Sequence, residues 1–310
     1  MMHYLNNFPG SKYGADKTGV ANKMGENNAT LALLNGKDDG KNPVGNQVNG
    51  QPLYQNEIQT EGGDWYMKQN YDHRDAAYEE ILHFVHDNGI GVDGANTLPG
   101  ALPAYQAEIR KAQKNGLAKN LWGRGEENKA WVQELAKENS LTQEYLASVI
   151  DSYYGLWGAW NGGENGMWGI YKSKTRKNIQ KDDEVGYDLV GKFFHPYITY
   201  NARIEPNFSG TFSLKFDTSK PYTNHSQYLK DVTLLGKNDN NIIVNNLDNT
   251  ITGNSGTNTV IFSGKSSEYK INNENGKTIV EDTVKNRDEK NSLINIEKLK
   301  FKDKEMEVKK

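Results

Sequence analysis

Histidines cluster in one stretch of the sequence, and their spacing could hold a metal ion. Of the six histidines, His73, His83 and His86 lie close together, around one predicted helix. On that helix Glu79, His83 and His86 follow the spacing i, i+4, i+7, which places them on one face. Zinc needs converging nitrogen and oxygen ligands, and an i, i+4 pair on a helix supplies two of them. The sequence therefore predicts a zinc site, with His86 or His73 as alternatives to Glu79.

The same face has a second interpretation, in which no metal is bound. The solvent-facing side of an amphipathic helix carries polar residues at this spacing, as this chain does at Asp75, Glu79, His83 and His86. The opposite side carries the apolar residues that we expect in the core: Ala77, Ile81 and Phe84. Both interpretations stay open at this point.

The helix also resembles a known active-site motif. Glu79-Glu80-Ile-Leu-His83 is similar to the HExxH helix of zinc metallopeptidases, with Glu79 where that family has its first histidine. The continuation Phe84-Val-His-Asp-Asn-Gly89 resembles the anthrax-lethal-factor-like branch. In that branch the third ligand is a glutamate on a later helix, and Glu144-Tyr-Leu-Ala147 matches its context.

This resemblance implies a role for each matching residue. Glu79, His83 and Glu144 would be the zinc ligands, and His86 is retained as a further candidate ligand. Glu80 would be the general base that activates water on the zinc ion. A tyrosine beside these residues, Tyr145 or Tyr78, would polarise the carbonyl of the substrate.

A nine-residue repeat marks the C-terminal part of the chain. Three nonapeptides align, Leu235–Ile243, Val244–Thr252 and Gly253–Ile261, and an apolar residue recurs in each at Ile242, Ile251 and Val260. A nine-residue period places one inward apolar residue in each half-turn of a parallel β-roll.

These nonapeptides, with the apolar segments that follow them, resemble the calcium-binding repeats of hemolysin-type (RTX) secreted bacterial proteins. The resemblance implies calcium in the turns and a β-rich cap after the repeats. Where that family has its ligating aspartate, however, this chain has Asn240, Asn249 and Asn258. A neutral amide oxygen binds calcium more weakly than a carboxylate, so the chain departs from the family at the ligands themselves. The alternative is a metal-free β-roll held by asparagine ladders and a stack of isoleucine and valine side chains.

The elements that must position these residues follow from periodicity, caps and turn residues. Residues 1–70 are rich in Gly, Asn and Gln, which indicates either a flexible arm or a layer of short elements over the next region. Alternation of apolar and polar residues predicts strands within 198–216. Helices are expected at 72–88, 103–115, 126–139, 141–154 and 183–194.

Composition limits the class of protein. The charges nearly cancel, with 37 Lys and Arg against 40 Asp and Glu, so a nucleic-acid partner is not expected. Apolar runs are all too short for a membrane span. The absence of cysteine excludes disulfides and Cys-type zinc sites. We expect an α+β fold, with a mainly helical N-terminal domain at 1–230 and a small degenerate parallel β-roll with a β cap at 231–310.

Two functions from different classes are compatible with the sequence. The first is a secreted bacterial zinc-dependent hydrolase, peptidase-like, that acts on a polypeptide or another extracellular polymer. Met1 to Pro9 lack the basic and apolar regions of a signal peptide, so export without a cleaved leader is expected. The second is a non-catalytic secreted module for binding or adhesion to a carbohydrate or another surface, with the aromatic residues of 157–168 as its contact surface. His195 is expected to be a hydrogen-bonded core or turn residue.

Overall fold

The structure is a computed structural model that describes residues 1–71, 75–92 and 100–308. The protein is mixed α/β, with 35% of residues in helices, 21% in strands, and sheets that contain parallel strand pairs. The chain divides into two compact units. Unit 1 comprises Met1–Gln59 and Tyr71–Pro196, and unit 2 comprises Thr60–Asn70 and Tyr197–Lys310.

Helices lie mostly in unit 1. The described ranges contain these helices: α1 (Met2–Leu5), α2 (Thr18–Glu26), α3 (Asp64–Lys68), α4 (Ala77–Val85), α5 (Pro103–Ala118), α6 (Lys129–Glu138), α7 (Leu141–Tyr153), α8 (Arg176–Asp182), α9 (Glu184–Gly191) and α10 (Thr223–Ser226). The helices predicted near 103 and 141 are confirmed as α5 and α7, and the one predicted over 126–139 is a short 3-10 turn followed by α6. The capping residue expected at Asp72 lies outside the described residues.

Strands divide between a small pair in unit 1 and two larger sheets in unit 2. They are β1 (Leu31–Leu34), β2 (Gln51–Tyr54), β3 (Ile198–Ile204), β4 (Gly210–Ser213), β5 (Leu229–Leu234), β6 (Asn240–Ile243), β7 (Thr250–Thr252), β8 (Asn258–Ile261), β9 (Tyr269–Glu274), β10 (Lys277–Asp282), β11 (Lys290–Ile294), β12 (Lys298–Lys300) and β13 (Glu305–Glu307). β1 and β2 pair in parallel, and β3 and β4 confirm the strands predicted within 198–216.

The core of unit 1 forms where α4 packs on α7. Leu82 and Val85 of α4, and Leu146 and Val149 of α7, are completely buried. The first helix, α1, also contacts α4, since the Tyr4 hydroxyl donates to the Tyr78 carbonyl (2.8 Å). This contact fits the interpretation of the N-terminal residues as a layer of short elements. Beyond Val85 the helix widens into a π-helical turn, His86–Ile90.

Strands β3 to β8 of unit 2 alternate between two sheets along the chain. One sheet has the order β3-β5-β7-β11-β10-β9, and the other has the order β13-β12-β8-β6-β4. β6 and β8 pair in parallel with Asn240 opposite Asn258, so one complete turn of the chain takes two nonapeptides and crosses both sheets. Ile242, Ile251 and Val260 are completely buried, which confirms the inward positions predicted from the nonapeptides.

The division into units differs from the predicted boundary between residues 230 and 231, which lies inside unit 2. The reason is the pairing of β3 with β5, since Ala202 lies opposite Val232 in the same parallel ladder. β3 and β5 precede the first nonapeptide, and their sequences do not show the nine-residue repeat. Thr60–Asn70 also joins unit 2 rather than the residues around it.

Candidate metal centre

Three of the predicted ligands meet where α4 faces the first turn of α7. Glu79 and His83 lie one helical turn apart on α4, and Glu144 lies in the first turn of α7. One ligand atom from each residue lies within 4.8 Å of the others. His83 Nε2 is 3.6 Å from Glu144 Oε1. We call these three residues the E-H-E cluster.

The spacing within the E-H-E cluster suits a small cation. Ligand atoms at about 2.0–2.1 Å from one tetrahedral zinc ion lie roughly 3.3 Å apart. The separation between His83 and Glu144 is close to that value, and the Glu79 ligand atom lies within 4.8 Å of both. An imidazole nitrogen and two carboxylate oxygens are also within zinc's usual choice of ligands. The residues therefore fit the metal that the motif implies.

Burial makes the E-H-E cluster electrostatically demanding. Glu79 and His83 are only 7% and 5% exposed, and the Glu144 side chain is 16% exposed. Two carboxylates placed together away from water raise the free energy of the folded chain unless a cation or protons neutralise them. This finding contradicts the interpretation of the helix face as solvated. It leaves Glu144 as the member through which solvent reaches the cluster.

A further carboxylate, Asp87, lies near the E-H-E cluster. Sequence spacing alone does not single it out, although it follows His83 by about one turn of helix. Burial, and then the nearby Glu144 carboxylate, raise the pKa of Asp87 to about 7. The Gln143 side-chain amide, with its nitrogen turned towards Asp87, donates to both carboxylate oxygens (2.6 and 3.2 Å). A third carboxylate, that of Asp87, thus lies close to Glu144, just beyond the C-terminal end of α4.

Asp87 also lines a cleft of about 860 Å³. The cleft passes the start of β2 at Gln51 and the start of α7 at Gln143. Its charged lining within the described part of the chain is acidic, without lysine or arginine: Glu26, Asp87 and Glu138. The rest of the lining is largely asparagine and glutamine, whose amides suit a polar or peptide-like ligand.

Glu80, the predicted general base, lies beside this cleft rather than within the E-H-E cluster. Its Oε2 accepts a hydrogen bond from Gln51 Nε2 (2.6 Å), which ties α4 to β2. Sequence reasoning missed Gln51 as a partner, because it is 29 residues away and in a loop-rich segment without a motif of its own.

Two predicted site residues turn away from the cluster. His86 is completely buried, and its Nε2 is hydrogen-bonded to Gln106 Oε1 of α5 (2.7 Å). His86 itself keeps α-helical dihedral angles (φ −65°, ψ −54°), so the i, i+7 spacing holds for the backbone and the ring is engaged by its bond to α5. The structure thus places His86 in the core rather than with Glu79 and His83.

Tyr145 is likewise not placed to polarise a substrate carbonyl. Its hydroxyl donates to Asp183 Oδ2 (2.7 Å), and burial together with that carboxylate holds the pKa of the phenol well above its usual value. The Tyr145 ring packs edge-on against Tyr171, with ring centroids 6.4 Å apart, so the phenol belongs to the core. The alternative, Tyr78, is a buried residue whose ring lies 6.4 Å from that of Tyr154.

The other aromatic and histidine predictions have mixed outcomes. Trp157 is completely buried, whereas Trp168 is 43% exposed and lies edge-to-face on Trp157, with ring centroids 4.8 Å apart. His195 is a buried residue whose Nε2 is hydrogen-bonded to the Asn7 carbonyl (2.8 Å), which confirms its predicted structural role. His73, named as an alternative ligand, lies outside the described residues.

Two further findings complete the description of the site. Within the described residues, no helix combines the length and the apolar character needed to cross a bilayer. Comparison of the chain with protein-family models, with curated proteins and with solved structures finds no match.

Proposed function

We propose that the protein is a zinc-dependent hydrolase, peptidase-like, whose metal ion is held by Glu79, His83 and Glu144. The observation that carries the proposal is the E-H-E cluster itself, with its ligand atoms within 4.8 Å of one another in a largely buried place. Two helices that are distant in the sequence, α4 and α7, bring these residues together.

Bound zinc would act as a Lewis acid and lower the pKa of a water ligand towards neutrality. The chain's own residues then have distinct tasks. Glu80 would serve as the general base that accepts a proton, and the Gln51 amide holds its carboxylate in one orientation. The acidic, amide-lined cleft beside Asp87 binds the substrate, and its charge favours a polypeptide segment that is neutral or basic over an acidic one.

The proposal is tested by metal content and by hydrolysis measured on the same preparations. Protein purified without chelators should carry one zinc ion per chain by plasma mass spectrometry, and His83→Ala should lose it. Glu80→Gln should keep the zinc yet lower hydrolysis of peptides, found in a library screen, by about 10²–10⁴-fold.

Glu127→Gln is the matched control, because Glu127 is an exposed carboxylate outside the cluster. It should retain both zinc and activity. Protein without zinc, or equal zinc loss in the control, would remove the basis of the proposal.

We also propose that the protein consists of a mainly helical N-terminal domain and a degenerate parallel β-roll with a β cap, and that it acts outside the bacterial cell. Support comes from the alternation of β5 to β8 between two sheets, which is the path of a two-sided coil. The pairing of β9 with β10 adds an antiparallel hairpin after the repeats. The resemblance to RTX repeats supports secretion.

A non-catalytic binding module is the second candidate function. It is favoured by the exposure of Trp168, which projects from a cluster of aromatic rings and could stack on a sugar or another flat ligand. The Glu80→Gln variant separates the two candidates, because loss of the general base would leave such binding unchanged.

A further inference from the structure

The turns of unit 2 are crossed by asparagine side chains in a repeating pattern. Asn245 Nδ2 donates to the carbonyls of Gln227 (3.1 Å) and Leu229 (2.9 Å), both in the preceding turn. One nonapeptide further on, Asn254 Nδ2 donates to the carbonyls of Leu235 and Asn238 (both 3.0 Å), again in the preceding turn. The two side chains thus make equivalent bonds on opposite sides of the coil.

Each of these asparagines also orders its own turn. Asn245 Oδ1 accepts from the Leu247 N–H (3.1 Å), and Asn254 Oδ1 accepts from the Gly256 N–H (2.8 Å). Both side chains are buried. One amide therefore satisfies two carbonyls of the preceding turn and one N–H of its own, which is nearly its full hydrogen-bonding capacity.

The positions that match the family's ligating aspartate behave similarly. Asn249 Nδ2 donates to the Lys230 carbonyl of the preceding turn (2.9 Å), whereas Asn258 Nδ2 donates within its own turn, to the Gly256 carbonyl (2.9 Å). A calcium ion needs six to eight converging oxygens. Here the hydrogen atoms of amide groups point at the turn carbonyls that would otherwise face a cation.

Carboxylates near the turns are engaged as well. Asp231 Oδ1 accepts from the Thr250 N–H (3.2 Å), and Asp239 Oδ1 accepts from the Thr257 N–H (2.7 Å), each linking one turn to the next. In unit 2 the described residues leave four buried side-chain oxygens without a hydrogen-bond donor: Asn249 Oδ1, Asn258 Oδ1, Asp288 Oδ1 and Asn291 Oδ1. Asn249 and Asn258 precede or begin strands of different sheets, β7 and β8. Asn249 and its neighbour Asn291 offer two neutral oxygens, fewer than the six to eight that calcium needs.

We propose that buried asparagine amides replace calcium as the links between turns of unit 2, so that this unit folds and stays ordered without the ion. The residues present do not fit the calcium that the repeat resemblance implies. The chain keeps the nine-residue coil but holds it together by internal hydrogen bonds.

The test is hydrogen–deuterium exchange of the full chain, followed in peptides that span residues 245–262. Exchange should be the same in EGTA and in calcium at about 10 mM, which exceeds the dissociation constants of extracellular calcium modules. If calcium slowed exchange in these peptides or raised the melting temperature of unit 2, the proposal would be overturned. Because the peptides lie in unit 2, the result is independent of zinc binding in unit 1.

A pair of variants tests the asparagine links directly. Asn254→Ala should speed exchange in these peptides and lower the melting temperature by about 5 °C, because two carbonyls and one N–H lose their partner. Asn272→Ala, at an exposed position of β9, makes the same chemical change and should have no such effect. Equal behaviour of the two variants would contradict the proposal, and the calcium comparison on the unmodified chain stands even if Asn254→Ala does not fold.

Discussion

At the scale of single residues, unit 1 buries charges that serve different ends. The E-H-E cluster would bind a cation in our proposal, whereas Lys17 is buried against aromatic rings. The Lys17 ammonium lies 4.3 Å from the centre of the Phe193 ring, and its Nζ makes no hydrogen bond to a described residue. Burial lowers the pKa of Lys17 to about 7.

Lys17 therefore predicts a pH dependence of stability. In the unfolded chain the amine keeps its proton up to about pH 10.4, so between pH 7 and that value the unfolded state binds more protons than the folded state. The free energy of unfolding should thus rise with pH in this window, by about 2–3 kcal/mol between pH 6 and pH 9. Urea titrations at both pH values, on the original chain and on Lys17→Met, measure this. The variant should lose most of the rise; an unchanged rise would show that other groups cause it.

At the scale of elements, the site depends on contacts between segments far apart in the sequence. In our proposal α4 would supply two ligands and the base, α7 would supply the third ligand, and β2 carries the amide that donates to Glu80. The hydrogen bond from Gln51 to Glu80 involves none of the three proposed ligands. We therefore expect that its removal leaves metal binding intact.

Gln51→Ala should lower kcat by roughly 10–100-fold while zinc content stays the same, because such supporting hydrogen bonds orient the catalytic group. The variant should also shift the acidic limb of the pH–rate profile, since Glu80 loses a bond that favours its charged form. Gln47→Ala provides the control, because Gln47 is exposed and donates only locally, to the Pro43 carbonyl. Loss of zinc in Gln51→Ala would assign the glutamine a structural role instead.

How far the sequence predicts this site depends on the range of each contact. The i, i+4 spacing identifies Glu79 and His83, since it needs only a regular helix. Glu144 comes from a resemblance, because no local rule links α4 to α7. The hydrogen bonds that hold Tyr145, His86 and Glu80 depend on packing between distant segments, which periodicity does not encode. In unit 2 the nonapeptides predict the buried stripe but miss the earlier turns, whose strands lack the repeat.

At the scale of the whole molecule, the two units should respond to metal removal differently. The carboxylates of the E-H-E cluster lie in unit 1, and the asparagine links lie in unit 2. A ligand that binds only the folded state stabilises it by mass action, by about 4 kcal/mol at a thousandfold excess over the dissociation constant. Metal binding therefore should stabilise one unit and not the other.

We expect a zinc chelator to speed hydrogen exchange in peptides from α4 and α7 and to leave peptides from β5 to β8 unchanged. Calorimetry of the full chain should show the corresponding transition moving to lower temperature, and His83→Ala should behave like the chelated protein. Equal loss of protection in both units would mean that the metal acts on the whole chain, or at a site outside the cluster.

The alternation of strands between two sheets also governs which insertions and deletions the chain can accept. One full turn runs from Asn240 to its lateral neighbour Asn258, two nonapeptides later. Loss or duplication of a single nonapeptide would therefore send every later strand to the opposite sheet and separate the hairpin of β9 and β10 from the sheet edge on which it is built. Loss or duplication of a nonapeptide pair would preserve the parity of the coil. Relatives of this protein should thus differ in length here by whole turns, in steps of two nonapeptides.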